Sequence, residues 1–480
     1  MKSVCIIIRN EYKTFYIALA RLISKSCSVR ILVDNPSVNS LIRQRAPELT
    51  PLVTVLPERR ELPQVYRDTV SIAAENEKRL GEKFAVFCAK DRAFGRGYMS
   101  NIDGYPHFQR ESWSHEQRLA ALNLEVATYE KHFVGIDALI SQWPESVPSA
   151  ICDAWAIQHF HLLPVKLACH FYWSTDSYKG SDELRSALTN FLDTFDEREI
   201  IPTTPYEADA ASGLVISQIS YGILAACKAS LTIIRRDIIN ALRGRRKINS
   251  VRVFGWVPSR WRKVRNYNFV KKHGATSVEN DKYHYIFFPL HMEPEVSLYL
   301  FSPEFINTFE ALVWLSKALP ADWQIVVKEQ PNAFQFRSRS FYKRLMQIGN
   351  VQLASPDTSS WDWIQKSDGV AVFTSTVGIE AVHFEKPVIS FSRRQFINHL
   401  PTVFEAFSYE DTVSAFIKLR EVVKEEKKLA KARAALYAAQ REVSFALPDM
   451  PGLAKSNSSA GSTAKAAYDQ LVIRYPHIFG

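Results

Sequence analysis

Three segments of this chain place polar and charged residues in the turn that follows a predicted buried strand. They are residues 288–295 (FPLHMEPE), 327–331 (VKEQP) and 374–381 (TSTVGIEA). Cationic and hydroxyl side chains in such turns bind phosphate oxygens, and a helix that begins at the turn contributes backbone N–H groups and a favourable dipole. Together the three segments predict a binding site for a phosphorylated ligand.

The segment 374–381 has the clearest chemistry. Ser375 and Thr376 stand where a strand turns into a helix, so their hydroxyl groups can donate to phosphate oxygens. Glu380 follows one turn later, where an acidic side chain can accept from ribose hydroxyls, and Gly378 between them is assigned to the same site. The alternative is that Ser375 or Thr376 only caps the helix.

The other two segments offer a cation and an acid–base pair. Lys328 can neutralise a phosphate, with Gln330 and Pro331 beside it; the alternative is a surface turn that Pro331 ends. His291 and Glu293 are candidate catalytic residues that act as acid and base or bind the substrate. Alternatively, these two side chains hold their own loop by hydrogen bonds.

The pattern from residue 283 to residue 392 shows how these segments are positioned. Short apolar strands without polar alternation are separated by helical stretches, which is typical of a parallel sheet covered by helices on both faces. The predicted strands are 285–289, 323–328, 351–354, 369–374 and 387–391, and the predicted helices are 304–318, 338–347, 359–366 and 377–384. Ligands bind at the carboxyl ends of such strands, so the three segments should meet at one edge.

The N-terminal part predicts a second α/β sheet, because strand-like runs at 4–8 and 29–33 flank a helical stretch. An apolar run at 84–89 is interpreted as a further strand. Asp91 follows this run directly and is the predicted catalytic carboxylate, with Asp103 as a weaker candidate. The alternative for Asp91 is an ion pair with a neighbouring arginine.

The composition excludes several classes of protein. A chain of 480 residues predicts two domains, and 46% hydrophobic with 23% charged residues excludes a disordered or fibrous chain. The net charge of +10 favours an anionic partner without choosing among nucleic acid, nucleotide, acidic glycan and membrane surface.

The cysteines and the apolar runs bear on the compartment. The six cysteines form no C-x-x-C pair and are expected to be buried, reduced thiols, as in a cytoplasmic protein. The N-terminus lacks the pattern of a signal peptide. Residues 213–234 are mostly apolar but are expected to form a buried or amphipathic helix, and the basic run after it predicts either contact with anionic lipid or a solvated helix end.

The segments at the strand ends, together with residues 386–390 (KPVIS), resemble the capsule polysaccharide biosynthesis glycosyltransferases. That group includes enzymes similar to β-Kdo transferases of capsule and lipopolysaccharide assembly. The resemblance covers residues 283–392 well and the N-terminal half only loosely, through residues 91–98 (DRAFGRGY).

The resemblance implies an α/β fold of GT-B type, with two Rossmann-like domains that face each other across a cleft and a helical C-terminal extension. It implies metal-independent transfer from a nucleotide-sugar donor, such as a CMP-linked sugar, to a glycan or glycolipid acceptor, in the cytoplasm or at the inner face of the inner membrane. No metal and no further cofactor are expected. The expected domains are an N-terminal acceptor domain with helical insertions (1–250), a basic linker (251–282), a nucleotide-sugar domain (283–400) and the helical extension (401–480).

One residue departs from the family pattern and keeps two alternatives open. Relatives commonly carry histidine where this chain has Gln330, and glutamine cannot carry charge. The first alternative is a non-catalytic nucleotide- or carbohydrate-binding protein of the assembly machinery, and the second is a sugar-nucleotide 2-epimerase. Nucleic-acid binding ranks last, because the basic residues form no recognisable nucleic-acid motif.

Overall fold

The structure is a computed structural model of the chain, and its fold is built on two separate β-sheets. It describes all residues except 58–62, 91–112, 177–181, 195–221, 243–255, 278–281, 294–297, 299–301, 303–304, 306–307 and 454–459. The predicted catalytic carboxylate Asp91 and its alternative Asp103 lie outside the described residues.

The first sheet has seven strands in the order β13-β6-β5-β4-β1-β2-β3. Strands β1 to β5 are parallel, whereas β6 runs antiparallel to β5, and β13 runs antiparallel to β6. The strands are β1 (Ser3–Ile8), β2 (Ser28–Val33), β3 (Val53–Val55), β4 (Ala138–Ser141), β5 (Gln158–Pro164), β6 (His170–Ser174) and, near the C-terminus, β13 (Phe445–Ala446).

Helices cover both faces of this sheet. They are α1 (Lys13–Ile23), α2 (Pro36–Arg45), α3 (Thr69–Leu80), α4 (Phe84–Lys90), α5 (His115–Phe133) and α6 (Ser146–Trp155). The next helix, α7 (Asp182–Thr194), packs Leu184, Ala187 and Leu188 into a core that includes Tyr285 and Phe287 of the second sheet. Alternate residues of β1 enter two different cores, Val4 and Ile6 on one face and Cys5 and Ile7 on the other. This arrangement explains why β1 is apolar without alternation.

Two sequence predictions in this half are wrong. The apolar run at 84–89, interpreted as a strand, belongs to helix α4, because a short apolar run does not by its period distinguish a buried helix from a buried strand. The reason for choosing Asp91, its place after a strand, therefore does not hold. The sequence of residues 172–196 predicts a helix, but its first residues belong to strand β6, and the described helix α7 spans Asp182–Thr194.

The second sheet is parallel throughout and has the strand order β12-β11-β10-β7-β8-β9. Its strands are β7 (His284–Pro289), β8 (Trp323–Lys328), β9 (Val351–Leu353), β10 (Gly369–Val372), β11 (Val388–Ser390) and β12 (Val403–Glu405). The helices between them are α10 (Thr308–Ala318), α11 (Arg339–Met346), α12 (Ser360–Lys366) and α13 (Thr376–His383). All five predicted strands and four predicted helices are present, and β12 adds a sixth strand.

The predicted fold class, α/β with two Rossmann-like sheets as in GT-B-like proteins, is thereby confirmed. From β7 the chain adds β8 and β9 on one side and then returns to add β10, β11 and β12 on the other. The point of reversal, between β7 and β10, is where ligands bind in sheets of this topology.

Most of the segment predicted to be a basic linker is a helix. Helix α9 (Val257–His273) follows α8 (Ile223–Leu242), and it packs on the short 3-10 turn Ala333–Gln335 after β8. Asn266 Nδ2 of α9 donates to the carbonyl oxygens of Phe334 at 2.8 Å and Arg337 at 2.7 Å. Val270 also enters the core of the second sheet, so polar and apolar contacts together hold this helix in place.

The region after residue 400 is mainly helical but also completes both sheets. Its helices are α14 (Tyr409–Val422), α15 (Glu426–Val443), α16 (Met450–Leu453), α17 (Gly461–Arg474) and α18 (Pro476–Phe479). Strand β12 joins the second sheet and β13 joins the first, and α17 packs against α1 in the first core. The C-terminal region is therefore an integral part of the two sheets' cores.

Most of the cysteines are buried as expected, and the apolar segment overlaps helix α8. Cys5, Cys27, Cys88 and Cys152 are buried free thiols, while Cys169 and Cys227 are partly exposed. Among the described residues, no helix is both long enough and apolar enough to cross a membrane.

Because two histidines on β5 are buried, we expect the folded protein to lose stability in acid. His159 Nε2 lies 2.9 Å and His161 Nδ1 3.2 Å from Ser141 Oγ, and burial lowers the pKa of His161 to about 3 and that of His159 well below its usual value. In the unfolded chain both imidazoles titrate near pH 6.5, so below that pH they take up protons that they do not bind in the folded state. Stability is therefore full above that pH and falls as the pH decreases.

At pH 5 the His161 contribution alone should lower the free energy of unfolding by about 2 kcal/mol relative to pH 7. Urea denaturation at the two pH values measures this loss. The variant His161→Gln should show a smaller loss, whereas His477→Gln, at an exposed position, should behave as the wild type. An equal loss in the wild type and in His161→Gln would show that the buried histidine is not responsible.

Candidate active site

The three segments singled out in the sequence come together at the carboxyl edge of the second sheet. Strand β7 lies between β10 and β8, and His291 Nε2 after β7 is hydrogen-bonded to Thr374 Oγ1 after β10. On the other side, Leu290 N donates to Lys328 O at 2.8 Å. The bond between His291 and Thr374 spans the point where the strand order reverses, which is the expected ligand position in this topology.

A buried ion network joins the loops after β7 and β8. Arg337 Nη1 lies 2.9 Å from Glu293 Oε2, and Arg337 Nε lies 2.8 Å from Glu329 Oε2. The arginine also donates to the backbone oxygen of His291 and lies over the ring of Phe341, 4.5 Å from its centroid. All three charged side chains are less than 5% exposed. A network this deep fixes the relative position of the two loops.

The pKa values of Arg337 and Glu329 are both raised, which favours the charged form of the arginine and the neutral form of the glutamate. Burial alone would lower the pKa of Arg337, but Glu293 and Glu329 outweigh it and raise that pKa above its usual range. Burial raises the pKa of Glu329, although Arg337 and a hydrogen bond of 2.8 Å from Tyr342 OH lower it in part. The guanidinium is thus held as a permanent cation between two carboxyl groups.

Glu293 has its two carboxylate oxygens occupied within this network. Oε1 accepts from Thr308 N at 2.7 Å, at the N-terminus of α10, and Oε2 pairs with Arg337. With 3% of its surface exposed, Glu293 holds its loop, which is the second of the two roles considered for it. His291, at 8% exposure, is likewise held by its contact with Thr374 and lies beside the turn that carries Ser375.

Lys328 ends β8 and is 5% exposed. Its ammonium Nζ donates to Ser355 O at 3.1 Å and lies 3.5 Å from both Pro356 O and Thr358 Oγ1. Burial lowers the pKa of Lys328 to about 8, and Asp357 opposes this effect in part. Neutral oxygens hold the ammonium without neutralising it, so a phosphate nearby would gain from its charge.

Gln330 and Pro331 form the turn that leaves β8. Gln330 Oε1 accepts from Asn332 N at 2.7 Å, and Gln330 N donates to Glu329 Oε1 at 2.8 Å. In this structure the Gln330 carbonyl thus stabilises its own turn. The partly exposed side chain carries an amide whose N–H groups can donate to a ligand.

Ser375 is the N-cap of α13, and its Oγ accepts from Val377 N at 3.2 Å. Capping and phosphate binding are compatible, because the same hydroxyl keeps its own proton to donate. Thr374, Ser375 and Thr376 are partly exposed at this turn. Gly378 sits where an added Cβ would lie 3.0 Å from both Ile397 and Val372, so the glycine lets α13 pack closely on the sheet.

Glu380 lies in α13 and is 6% exposed. Its Oε2 accepts from Trp361 Nε1 of α12 at 3.2 Å. Burial raises the pKa of Glu380, and the Trp361 hydrogen bond and the charge of Lys166 lower it in part. The second carboxylate oxygen remains the candidate acceptor for ribose hydroxyls.

Sequence reasoning missed Arg337 and Trp361 as parts of this site, and it gave no separate role to Thr374, the first residue of the segment 374–381. Arg337 stands in an aromatic stretch away from any strand end. Glu293 and Glu329 each follow a buried parallel strand, and two buried carboxylates require a cation beside them. This requirement could have pointed to a buried basic residue such as Arg337. Nothing in the sequence indicates that Trp361 reaches Glu380.

Residues 256–398 match the family model described as "Capsule polysaccharide biosynthesis protein". The resemblance drawn from the strand-end motifs is thus confirmed for this part of the chain. The match covers less than half of the chain, and it begins at helix α9, the segment predicted as a linker. No curated protein matches the chain.

Among solved structures, three similarities illustrate the range of related folds. A β-Kdo 2,7-transferase, KpsC, from Thermosulfurimonas dismutans is 14% identical over 61% of this chain and 79% of that chain, with a TM-score of 0.30. A glycosyltransferase from Rickettsia africae is 9% identical over 99% of both chains, with a TM-score of 0.30. A UDP-GlcNAc 2-epimerase from Methanocaldococcus jannaschii is 11% identical over 86% of this chain and 92% of that chain, with a TM-score of 0.25. Similarities of this size carry no argument about activity.

Proposed function

We propose that the protein is a glycosyltransferase of bacterial surface-polysaccharide synthesis. It would transfer a sugar, such as Kdo or another acidic sugar, from a nucleotide-sugar donor to a growing capsule or lipopolysaccharide glycan. The observation that supports this proposal is that the turns after β7, β8 and β10 lie at one edge of the second sheet. His291 contacts Thr374 across the reversal point and Leu290 N donates to Lys328 O, within the part of the chain that matches the capsule family.

The proposed donor site supplies the chemistry that glycosyl transfer needs. When the bond between the anomeric carbon and the nucleotide phosphate breaks, negative charge develops on the departing phosphate. Lys328, the hydroxyls of Ser375 and Thr376 and the N-terminus of α13 would stabilise that charge, with Gln330 beside them. Glu380 would bind the ribose, and Gly378 would keep α13 against the sheet.

The reaction also needs a base for the acceptor hydroxyl, whose oxygen forms the new bond to the anomeric carbon. We keep Asp91 as the proposed base, and the reason is now only its position in the motif DRAFGRGY. His291 would assist from the donor side. With basic side chains and a helix terminus at the phosphate, we propose that transfer needs neither a metal ion nor a further cofactor. The partners would be the nucleotide sugar, a glycan or glycolipid acceptor and an anionic membrane surface.

A transfer assay tests the proposal. The purified protein is incubated with CMP-Kdo, other CMP-sugars and UDP-sugars, with and without a capsule or lipopolysaccharide acceptor, and the products are identified by mass spectrometry. A glycosylated acceptor supports a transferase. A changed sugar nucleotide formed without acceptor would identify a 2-epimerase, and nucleotide binding without any product would identify a binding protein.

A further inference from the structure

The helix pair α8 and α9 carries an exposed surface that the donor site does not use. On α8, Leu224 is 85% exposed, Leu231 67%, Ile238 46% and Leu242 82%. These residues recur at seven- and four-residue spacing, so they form one ridge along the helix. The opposite side of α8 carries Ala226, Ser230 and Asp237, which are buried.

Basic residues accompany this ridge. Lys228 and Arg235 alternate with the apolar positions on the same side of α8 and are exposed, as is Arg236. Helix α9, which packs on α8, has six basic residues and no acidic residue, and its Trp261 is 39% exposed. The one acidic residue in the two helices, Asp237, is 4% exposed. The exposed residues of α8 are thus mainly apolar and cationic, and α9 adds further cations, of which Lys271 is paired with Asp357 at 2.7 Å.

We propose that the outer faces of α8 and α9 form a docking surface for an anionic phospholipid bilayer. A helix that presents Leu and Ile beside Lys and Arg lies in the plane of the interface, with its apolar side chains below the headgroups and its cations among the phosphates. An exposed tryptophan on the adjoining helix fits the same interfacial region.

The charge pattern favours lipid over a second copy of this chain. A ridge with seven-residue spacing can also pair with a helix, but Lys228 and Arg235 lie within it. In a pair of identical ridges these cations would face one another, and such like-charge contacts are unfavourable. An anionic headgroup layer neutralises them instead.

The position of α9 connects this surface to the proposed donor site. Arg260 Nη1 donates to Gln335 Oε1 at 3.0 Å, and Asn266 holds the backbone of Phe334 and Arg337. The same helix therefore presents cations outwards and fixes the turn after β8 inwards. Docking would hold the edge that carries Lys328 close to the membrane, where a glycolipid acceptor lies.

Vesicle co-sedimentation of the full-length protein tests this proposal. We expect binding to vesicles of equimolar phosphatidylcholine and phosphatidylglycerol, little binding to phosphatidylcholine alone, and weaker binding at high salt. The pair Arg235→Gln/Arg236→Gln should weaken partition about 30-fold, from the contribution of each cation near an anionic surface. The pair Leu231→Ser/Ile238→Ser should also reduce it strongly.

Matched variants elsewhere on the surface provide controls. Ile473→Ser, at a residue that is 69% exposed on α17, and Lys424→Gln/Lys427→Gln, at exposed positions near α15, should bind vesicles as the wild type does. Urea midpoints confirm that each variant is folded. Wild-type protein that ignores phosphatidylglycerol, or ridge variants that bind unchanged, would overturn the proposal.

A protein partner would give a different result. Concentration-dependent dimers in sedimentation velocity, abolished by Leu231→Ser/Ile238→Ser and accompanied by no vesicle binding, would assign the ridge to self-association and overturn the lipid proposal. Vesicle binding needs no turnover, so the docking surface and the proposed transferase activity can fail separately.

Discussion

Replacing Arg337 by leucine should lower the free energy of unfolding by about 3–5 kcal/mol, because removal of the central cation leaves two buried acids unpaired. Glu293 and Glu329 both contact this guanidinium, and their side chains are 4% and 2% exposed. Urea denaturation monitored by tryptophan fluorescence measures the change. Since the network joins the loops after β7 and β8, nucleotide affinity should fall with stability.

Two further variants separate the buried network from a general effect of losing an arginine. Arg339→Leu removes a partly exposed arginine whose guanidinium lies 5.4 Å from the ring centroid of Phe269, and it should cost less than about 1 kcal/mol. The triple variant Glu293→Gln/Glu329→Gln/Arg337→Met removes all three charges and should recover much of the lost stability. An Arg337→Leu protein as stable as Arg339→Leu would contradict the structural role assigned here.

Replacing Lys328 by methionine should reduce kcat/KM for glycosyl transfer about 100- to 1,000-fold, because the departing phosphate loses the buried cation that we assign to it. Methionine has a similar length and should preserve packing at this buried position. Lys317→Met, at an exposed position on α10, is the matched control and should leave transfer unchanged. Near-normal rates in a folded Lys328→Met protein would remove this lysine from the mechanism.

The pH dependence gives an independent test of the same residue. The pKa of Lys328 is lowered to about 8, so its charge is present below this pH and is lost as the pH rises through it. Transfer should therefore decline above pH 8 in the wild type. In Lys328→Arg the cation persists to much higher pH, so that decline should disappear.

The sequence predicted the second sheet well because its strands are continuous apolar runs with helical stretches between them. The same reasoning failed for residues 84–89, since an apolar run of six residues fits either a buried strand or a buried helix. It also failed for α9, which buries few apolar residues, such as Val264 and Val270, and is held in addition by hydrogen bonds from Asn266 and Arg260.

Residues of the candidate site could be predicted only where polar or charged side chains directly follow a strand. Lys328, Ser375 and Glu380 were selected as candidates because the carboxyl ends of parallel strands meet at one edge. The partner that fixes the loops, Arg337, was not found, because its position depends on the path of the chain after β8. The function of Glu293 as a loop anchor likewise required knowledge of its partners.

The most direct test of the central claim is isothermal titration of the protein with CMP, CDP, UDP, GDP and dTDP, repeated with Glu380→Ala and the exposed control Glu310→Ala. If the reversal point of the second sheet holds the nucleotide, at least one of these ligands binds the wild type and the control equally. Glu380→Ala should then bind it about 10-fold more weakly, because the ribose loses a charge-assisted hydrogen bond. Unchanged affinity in a folded Glu380→Ala protein, or no binding of any nucleotide to the wild type, would contradict the account.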